Sequence, residues 1–188
     1  MTNLPLTKKT ARRLATMVEA GLVDYKQLHS WADWHILQAD IAPFWVYDLA
    51  VEKHSTEVAG ILRLYAFSDP IEQLSPPNPD DEALAALFLR HERGELSWAT
   101  FLSEAGQSSD ASTARTSCEF FYRLLDELDG TESSESTQRR QISLVLGQIG
   151  EDVAVLRPLY EELISYSKDG AAPGHAGRRS HSLRRIGA

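Results

Sequence analysis

The stretch GLVDYKQLHSWADWHILQ, residues 21–38, carries the most complete helix signal in the chain. Asp24 is suited to the N-cap, where its carboxylate can accept hydrogen bonds from the first backbone amides of a helix. Gln27, three residues later, completes a capping box. We therefore predict a helix over this stretch that ends at Gln38 or Ala39, and we expect helices to be the units of the fold.

The heptapeptide HSWADWH, residues 29–35, has the residue types of a catalytic or metal site. Successive helix residues are rotated by about 100°, so Trp31 and His35 share the apolar face, whereas His29 lies on the flank. The two histidines are about 120° apart and cannot hold one ion from a straight helix. We interpret His35 as a core or interface histidine with a hydrogen-bonded ring nitrogen. Trp34, at the edge of the apolar stripe, is suited to anchoring a partner.

Apolar residues recur at helical spacing through most of the chain, and no alternating apolar and polar run predicts a major sheet. A first helix is predicted over residues 6–20, with Gly21 as its C-terminal stop. The segment 141–149 fits a helix or a buried strand, and its flanks favour a helix. The other predicted helices begin at Pro43, Ser55, Asp80 or Asp81, Ser97, Asp110 and about residue 151, where Pro158 should kink the last helix or mark its start.

These patterns predict an all-α protein of about seven to eight helices, as an irregular multi-helix bundle or a short α-solenoid-like stack of helical hairpins. Residues 1–167 suit a single helical domain, in which the proline-rich segment 68–81 connects two halves. From residue 168 onward the composition predicts a disordered basic tail, residues 168–188.

Helical phase also assigns particular side chains to the core or to solvent. In the third helix, Phe44, Tyr47 and residues 49–51 are expected to supply the apolar, core-facing side. Cys118 falls in an apolar seam and is expected to be buried. The first helix carries basic residues that we expect to form a solvated face: Lys8, Lys9, Arg12 and Arg13.

The net charge of −8 is unevenly distributed. From residue 168 onward, five basic residues and one acid leave +4, so residues 1–167 carry −12. A body this acidic repels nucleic-acid phosphates and attracts basic partners. No signal sequence and no apolar run of membrane-spanning length is present, so we expect a cytoplasmic protein that binds neither nucleic acid nor a membrane.

No catalytic constellation is evident in the sequence. HERGE, residues 91–95, resembles a zinc-protease helix motif, but its last position is Glu95 and it contains Gly94 at an expected helix stop. Cys118 is the only cysteine, which excludes an intramolecular disulfide and argues against a thiolate zinc site. We therefore expect no enzyme activity, no cofactor, no metal and no small-molecule substrate.

Two stretches of the N-terminal half resemble a known group of proteins. EAGLVDYKQLHSWADWHI, residues 19–36, and IAPFWVYDLAVEKHSTEVAGILRLY, residues 41–65, resemble a small uncharacterised bacterial family of helical proteins. That family is similar to the immunity proteins found beside polymorphic toxins, including contact-dependent growth inhibition systems. The matching positions are Gly21, Leu22, Val23, Leu28, Trp31, Ala32, Asp33, Pro43, Leu49 and Ala50.

The resemblance covers about the first 70 residues well and implies a protein that binds the C-terminal domain of one cognate toxin and blocks it. Many such toxins are nucleases with basic clefts, which an acidic surface would complement. The hypothesised toxin-facing residues are Trp34, Asp80, Asp81, Glu82, Trp98, Asp126, Glu127, Asp129, Glu151 and Asp152. The alternatives are a non-catalytic helical scaffold or adaptor for another cytoplasmic protein, and a hydrolase or metal enzyme that uses the histidines.

Overall fold

The computed structural model describes residues 4–70, 78–129 and 135–168. These residues are 77% helical and contain eight helices and no strand, which confirms the all-α prediction. The helices are α1 Lys8–Glu19, α2 Tyr25–Gln38, α3 Phe44–Val51, α4 Ser55–Ala66, α5 Pro79–Glu92, α6 Trp98–Ser109, α7 Cys118–Asp129 and α8 Glu135–Lys168. Of the predicted tail, residues 168–188, Lys168 belongs to α8 and residues 169–188 lie outside the described residues, as does part of the proline-rich connection, 71–77.

The helices form an irregular bundle with α5 at its centre. Helix α5 packs against α1, α6 and α8, while α1 also packs against α4, and α2 against α3 and α8. The contacts between α1 and α5 and between α2 and α8 therefore join the N-terminal half, α1–α4, to the C-terminal half, α5–α8. One cluster of buried apolar side chains extends through both halves. No helix in the described part is both long enough and apolar enough to cross a membrane.

The predicted start of α2 is confirmed. The Asp24 carboxylate accepts hydrogen bonds from the backbone amides of Lys26 and Gln27, and the Gln27 side chain accepts one from the Asp24 amide at 2.8 Å. Gly21 has a φ of +72°, a left-handed conformation that ends α1 and that glycine adopts without steric cost. The local signals in residues 21–38 therefore act as the sequence predicts.

His35 is buried, as predicted, and takes part in a clamp on the chain segment before α1. Its Nε2 lies 3.0 Å from the carbonyl oxygen of Leu4, to which Trp31 Nε1 also donates. The Leu4 amide donates to the hydroxyl of Tyr166 in α8. Burial lowers the pKa of His35, although the hydrogen bond to Leu4 opposes that shift. Both backbone polar groups of Leu4 are therefore bound by side chains of α2 and α8.

The basic side of α1 is not the solvated face that its composition predicts. Arg12 is buried and Arg13 largely so, and both pair with Glu82 of α5, whose side chain is 0% exposed. Lys8 is also buried and donates to two backbone carbonyls just beyond α4. Only Lys9 is exposed as expected. The prediction fails because the first turn of α5 places a carboxylate against this face, which helical phase within α1 cannot reveal.

Two helix starts in the C-terminal half differ from the prediction. Asn78, not Asp80 or Asp81, caps α5, and its side chain accepts from the amide of Asp80. Asp110 ends α6 instead of starting a long helix, and α7 begins only at Cys118. Cys118 is consequently half-buried at a helix start instead of lying in a buried seam.

Helix α8 is continuous where the sequence predicts two helical segments. It includes the segment 141–149, for which a helix is confirmed, and it passes through Pro158. Pro158 therefore does not mark the start of a helix. It is exposed, while Leu156 and Tyr160 on either side of it are buried, so tertiary packing holds the helix across the proline.

Candidate interaction surface

Helix α3 exposes the side that its sequence assigns to the core. Its sequence, FWVYDLAV, has one polar residue, and the helix buries only Val46 and Leu49. Phe44, Tyr47 and Val51, spaced i, i+3 and i+7, lie on the opposite side, and Phe44 is 90% exposed. The prediction is therefore correct for Leu49 and wrong for these three residues. The seven apolar residues of α3 do not themselves show which side will be covered, and only the polar Asp48 marks the exposed side.

The exposed side of α3 continues into the turn and helix before it. Ile41 is 87% exposed, and Leu37, one turn earlier in α2, is 74% exposed. A shallow depression of about 760 Å³ is lined by Ile41, Ala42, Pro43, Phe44 and Tyr47. We call Leu37, Ile41, Pro43, Phe44, Tyr47 and Val51 the α2–α3 surface.

Exposed apolar side chains are concentrated in this part of the molecule. Ten large apolar side chains are exposed in the described part of the chain, and five of them belong to the α2–α3 surface. The other five are Leu64 and Phe67 in and just after α4, Tyr122 in α7, and Leu144 and Leu146 in α8. Monomeric proteins rarely expose a contiguous apolar patch without a binding role. The α2–α3 surface is therefore the strongest candidate interaction site on the described residues.

Two carboxylates border the α2–α3 surface. Asp48 is exposed one helical turn after Phe44 on the same side of α3, and exposed Asp40 immediately precedes Ile41. Within the described residues, neither carboxylate has a hydrogen-bond or ion-pair partner. An apolar centre with a charged rim is the usual arrangement of a protein–protein interface.

Three of the acids proposed to face a toxin are buried and form ion pairs with arginines of the same chain. Glu82 pairs with the arginines of α1, and Asp81 and Asp152 both bind Arg115 in the segment between α6 and α7. Burial raises the pKa of Asp152, and the charge of Arg115 opposes that shift. Because Asp81 and Asp152 are 2% and 4% exposed, the sequence prediction is wrong in assigning these acids to an exposed surface.

Trp98 is likewise unavailable as a surface anchor. It is 5% exposed, its Nε1 donates to Gln141 Oε1 at 2.7 Å, and its ring stacks on Phe101 with 5.0 Å between the ring centres. Gln141 in turn donates to the carbonyl of Leu124. Trp98 therefore connects α6 to α8 in the core, a role that its position at the start of a short helix does not disclose.

Trp34 stays at the rim of the molecule, half-buried. Its ring meets that of Tyr166 at 5.5 Å and that of His35 at 4.9 Å. One face of the indole is thus committed to the contact between α2 and α8. Trp34 lies three residues before Leu37 in α2, so it is the one predicted anchor near the α2–α3 surface.

The remaining predicted site residues are scattered over the C-terminal half. Asp80 accepts from the amide and hydroxyl of Thr113. Glu127 is bound by Gln141 and Arg140, and the hydrogen bond from Gln141 is the main cause of its lowered pKa. Asp126 and Glu151 are exposed, and Asp129 ends α7 with a side chain outside the described part. The ten predicted residues do not form one surface.

A second cavity, of about 510 Å³, lies between α1, α4, α5 and α6. Its charged lining is paired internally: Arg63 binds Glu19, and Arg90 lies 3.4 Å from Glu104. In the described part of the chain, no group of three His, Cys, Asp or Glu side chains is arranged to hold a metal ion. This cavity therefore lacks the unpaired carboxylates that lie beside the α2–α3 surface.

Sequence reasoning missed Ile41, Phe44 and Tyr47 as surface residues, and Asp40 and Asp48 as their rim. A signal was present in the sequence: Asp48, the one polar residue of α3, lies one helical turn after Phe44 and marks that side of the helix as the exposed one. Comparisons of the chain with protein families, with curated proteins and with solved structures each find no match.

Proposed function

We propose that this chain is an immunity protein that binds a cognate toxin domain and neutralises it by binding, without catalysis. The observation that carries the proposal is the α2–α3 surface, where Phe44 and Ile41 are almost fully exposed beside unpaired carboxylates. Such a surface is suited to a partner that removes the apolar groups from water.

Two further observations support this role. The two stretches that resemble the immunity-like family, residues 19–36 and 41–65, include nearly all of α2 and all of α3, and hence every residue of the candidate surface except Leu37. The charge of −12 on residues 1–167 favours association with a basic partner such as a nuclease domain, because long-range attraction raises the rate of encounter.

In this proposal, the toxin domain covers Ile41, Phe44 and Tyr47, and the acids at the rim orient it. Contact at the apolar centre supplies most of the binding energy, since a few well-buried anchors dominate most interfaces. Rim charges chiefly set the association rate and its dependence on salt. The partner-facing acids are then those of the α2–α3 segment, instead of the buried acids of α5 and α8.

The test is to mix the purified chain with the toxin domain encoded by the neighbouring reading frame. We expect a stable complex at micromolar concentration, loss of toxin activity in the mixture, and a Kd that weakens as salt is added. Absence of a complex at micromolar concentration overturns the proposal. A neighbouring frame that encodes a metabolic enzyme to which the chain binds would favour an adaptor instead.

Two matched variants locate the contact. Phe44→Ala removes the most exposed aromatic ring of the α2–α3 surface and should weaken the Kd by about tenfold or more. Leu144→Ala removes an exposed leucine of α8, on the C-terminal half, and should leave the Kd unchanged. Equal effects of the two substitutions would show that the toxin does not select the α2–α3 surface.

A further inference from the structure

The two halves of the molecule use their carboxylates differently. In the C-terminal half, most acids bind basic side chains of the same chain, and these include Asp81, Glu82, Glu92, Glu104, Glu127 and Asp152. In the segment that forms α2 and α3, Asp33, Asp40 and Asp48 are exposed and have no side-chain partner within the described residues. The α2–α3 surface therefore has exposed carboxylates beside it that no basic side chain of the described residues neutralises.

The basic residues of this segment do not neutralise those acids. Lys26 lies over the ring of Tyr25 at the start of α2, about three turns before Leu37. Lys53 follows α3, and its backbone amide is bound by the Glu52 side chain. Neither lysine forms an ion pair in the described part of the chain. The carboxylates of this segment are therefore available to pair with basic groups of a bound partner.

The apolar part of the surface is shaped to receive a side chain. Ile41, Phe44 and Tyr47 line the depression together with the smaller Ala42 and Pro43. The lining is almost entirely apolar, with the Tyr47 hydroxyl as its one side-chain polar group. A depression of this kind favours a large apolar anchor, which loses little conformational freedom when it is buried.

The charges discriminate among possible occupants. A second copy of this chain, docked through the same surface, would bring a second acidic rim to the interface, and like charges across an interface are unfavourable. Anionic lipid headgroups and nucleic-acid phosphates would meet the same repulsion. A positively charged protein segment meets attraction at the rim and burial at the centre.

We propose that the α2–α3 surface recognises a basic protein segment that places one aromatic or large aliphatic side chain between Ile41, Phe44 and Tyr47. Lysine or arginine residues on either side of that anchor pair with Asp40 and Asp48. This inference rests on the binding role proposed above and specifies the chemistry of the partner at the same site.

The test is selection from a random-peptide library displayed on phage, with the full chain as bait and the Phe44→Ala variant for counter-selection. We expect the recovered peptides to combine an aromatic or large aliphatic residue with flanking lysine or arginine. Recovery of neutral or acidic peptides, of no peptides, or of the same peptides on both baits would overturn the inference. The selection does not depend on the identity of the natural partner.

Binding of one recovered peptide to matched variants then separates the anchor from the rim. Phe44→Ala should weaken its Kd by about tenfold or more, and the double variant Asp40→Asn/Asp48→Asn by about threefold or more at low salt, with a flatter salt dependence. Asp126→Asn removes an exposed acid of α7 and serves as the control, with no change expected. An equal loss in the control would reject recognition by Asp40 and Asp48.

The outcomes also separate this inference from the immunity role. If no toxin complex forms but the surface selects anchored basic peptides, the immunity role is rejected and the recognition chemistry stands. If a toxin complex forms but the selected peptides are neutral, the immunity role stands and the recognition chemistry is rejected.

Discussion

Helices α3 and α5 place their apolar side chains in opposite ways. Helix α5 begins Pro-Asp-Asp-Glu, yet it buries six consecutive residues from Leu84 to Leu89 together with the side chains of Asp81 and Glu82. Helix α3 has a single polar residue and buries two. The more polar of the two helices is therefore at the centre of the molecule, while the more apolar one exposes Phe44 to solvent.

The helices that pack against α3 and α5 explain this difference better than the amino-acid composition of α3 and α5 does. Helix α5 is surrounded by α1, α6 and α8, so its apolar residues are covered on several sides and its acids meet arginines. Helix α3 packs mainly against α2 and α4. An exposed apolar side chain in α3 should therefore contribute little to folding, and its equivalent in α5 should contribute much. The following predictions test that contrast.

The largest difference is expected between two phenylalanines. Phe88 in α5 is 1% exposed and its ring meets that of Phe101 edge-to-face, so Phe88→Ala should lower the free energy of unfolding by about 4 kcal/mol. Phe44→Ala should change it by less than about 0.5 kcal/mol. Urea unfolding measures both values. A loss at Phe44 as large as that at Phe88 would mean that α3 is part of the core.

A comparison of two carboxylates comes next. Glu82→Gln removes the charge that pairs with Arg12 and Arg13 in the interior, and should lower the free energy of unfolding by about 3 kcal/mol. Glu19→Gln breaks the half-exposed pair with Arg63 and should lower it by less than about 1 kcal/mol. Chemical unfolding of both variants tests the ranking, and similar values would show that the α1–α5 contact does not depend on the buried charge.

The third prediction concerns His35, on the buried face of α2 opposite the exposed Leu37. Burial lowers the pKa of His35 below its ordinary value of 6.5, so the unfolded chain takes up a proton at a pH where the folded chain does not. The stability due to the neutral ring is therefore fully present above about pH 6.5 and is lost as the pH falls below it.

We expect the free energy of unfolding to decrease between about pH 8 and about pH 5, and His35→Gln to reduce that decrease. The control is His54→Gln, which replaces an exposed histidine before α4 and measures what a His→Gln substitution alone does to the slope. Urea titrations at the two pH values provide the measurement. An unchanged slope in His35→Gln would assign the pH dependence to other groups.

The smallest effects are expected at two helical glycines. A Cβ at Gly60 in α4 or at Gly147 in α8 would meet nothing within 4 Å. Gly→Ala at either position should raise the free energy of unfolding by about 0.5–1 kcal/mol, because alanine loses less backbone freedom on folding. Thermal unfolding can resolve such gains. Equal gains at the two positions would show that the substitution acts alike on the backbone of both halves. The difference between the halves would then lie in side-chain exposure and not in helix propensity.

The parts of the fold that could be predicted are those specified by neighbouring residues. The capping box at Asp24 and the left-handed glycines that follow α1 and α5, Gly21 and Gly94, depend on contacts within one turn. Helical phase in α2 correctly places Trp31 and His35 in the core because the buried residues of this helix repeat at i, i+3, i+4 and i+7.

The rest depends on contacts between distant segments. The burial of Glu82 requires α1, and that of Asp152 requires Arg115, so a carboxylate that looks solvated in its own helix is internal in the bundle. The candidate surface follows from which side of α3 the bundle covers, and within α3 only the single polar residue, Asp48, marks the uncovered side. Composition alone could indicate only that some apolar residues of α3 would remain exposed.

The clamp on Leu4 has a consequence for the order of assembly. Its carbonyl is bound by Trp31 and His35, about thirty residues away, whereas its amide waits for Tyr166, 162 residues further along the chain. Contacts that close long loops form late, since their entropic penalty grows with loop length. As the chain leaves the ribosome, α2 can engage the segment at Leu4 early, and α8 completes the clamp only after the other seven described helices have been made.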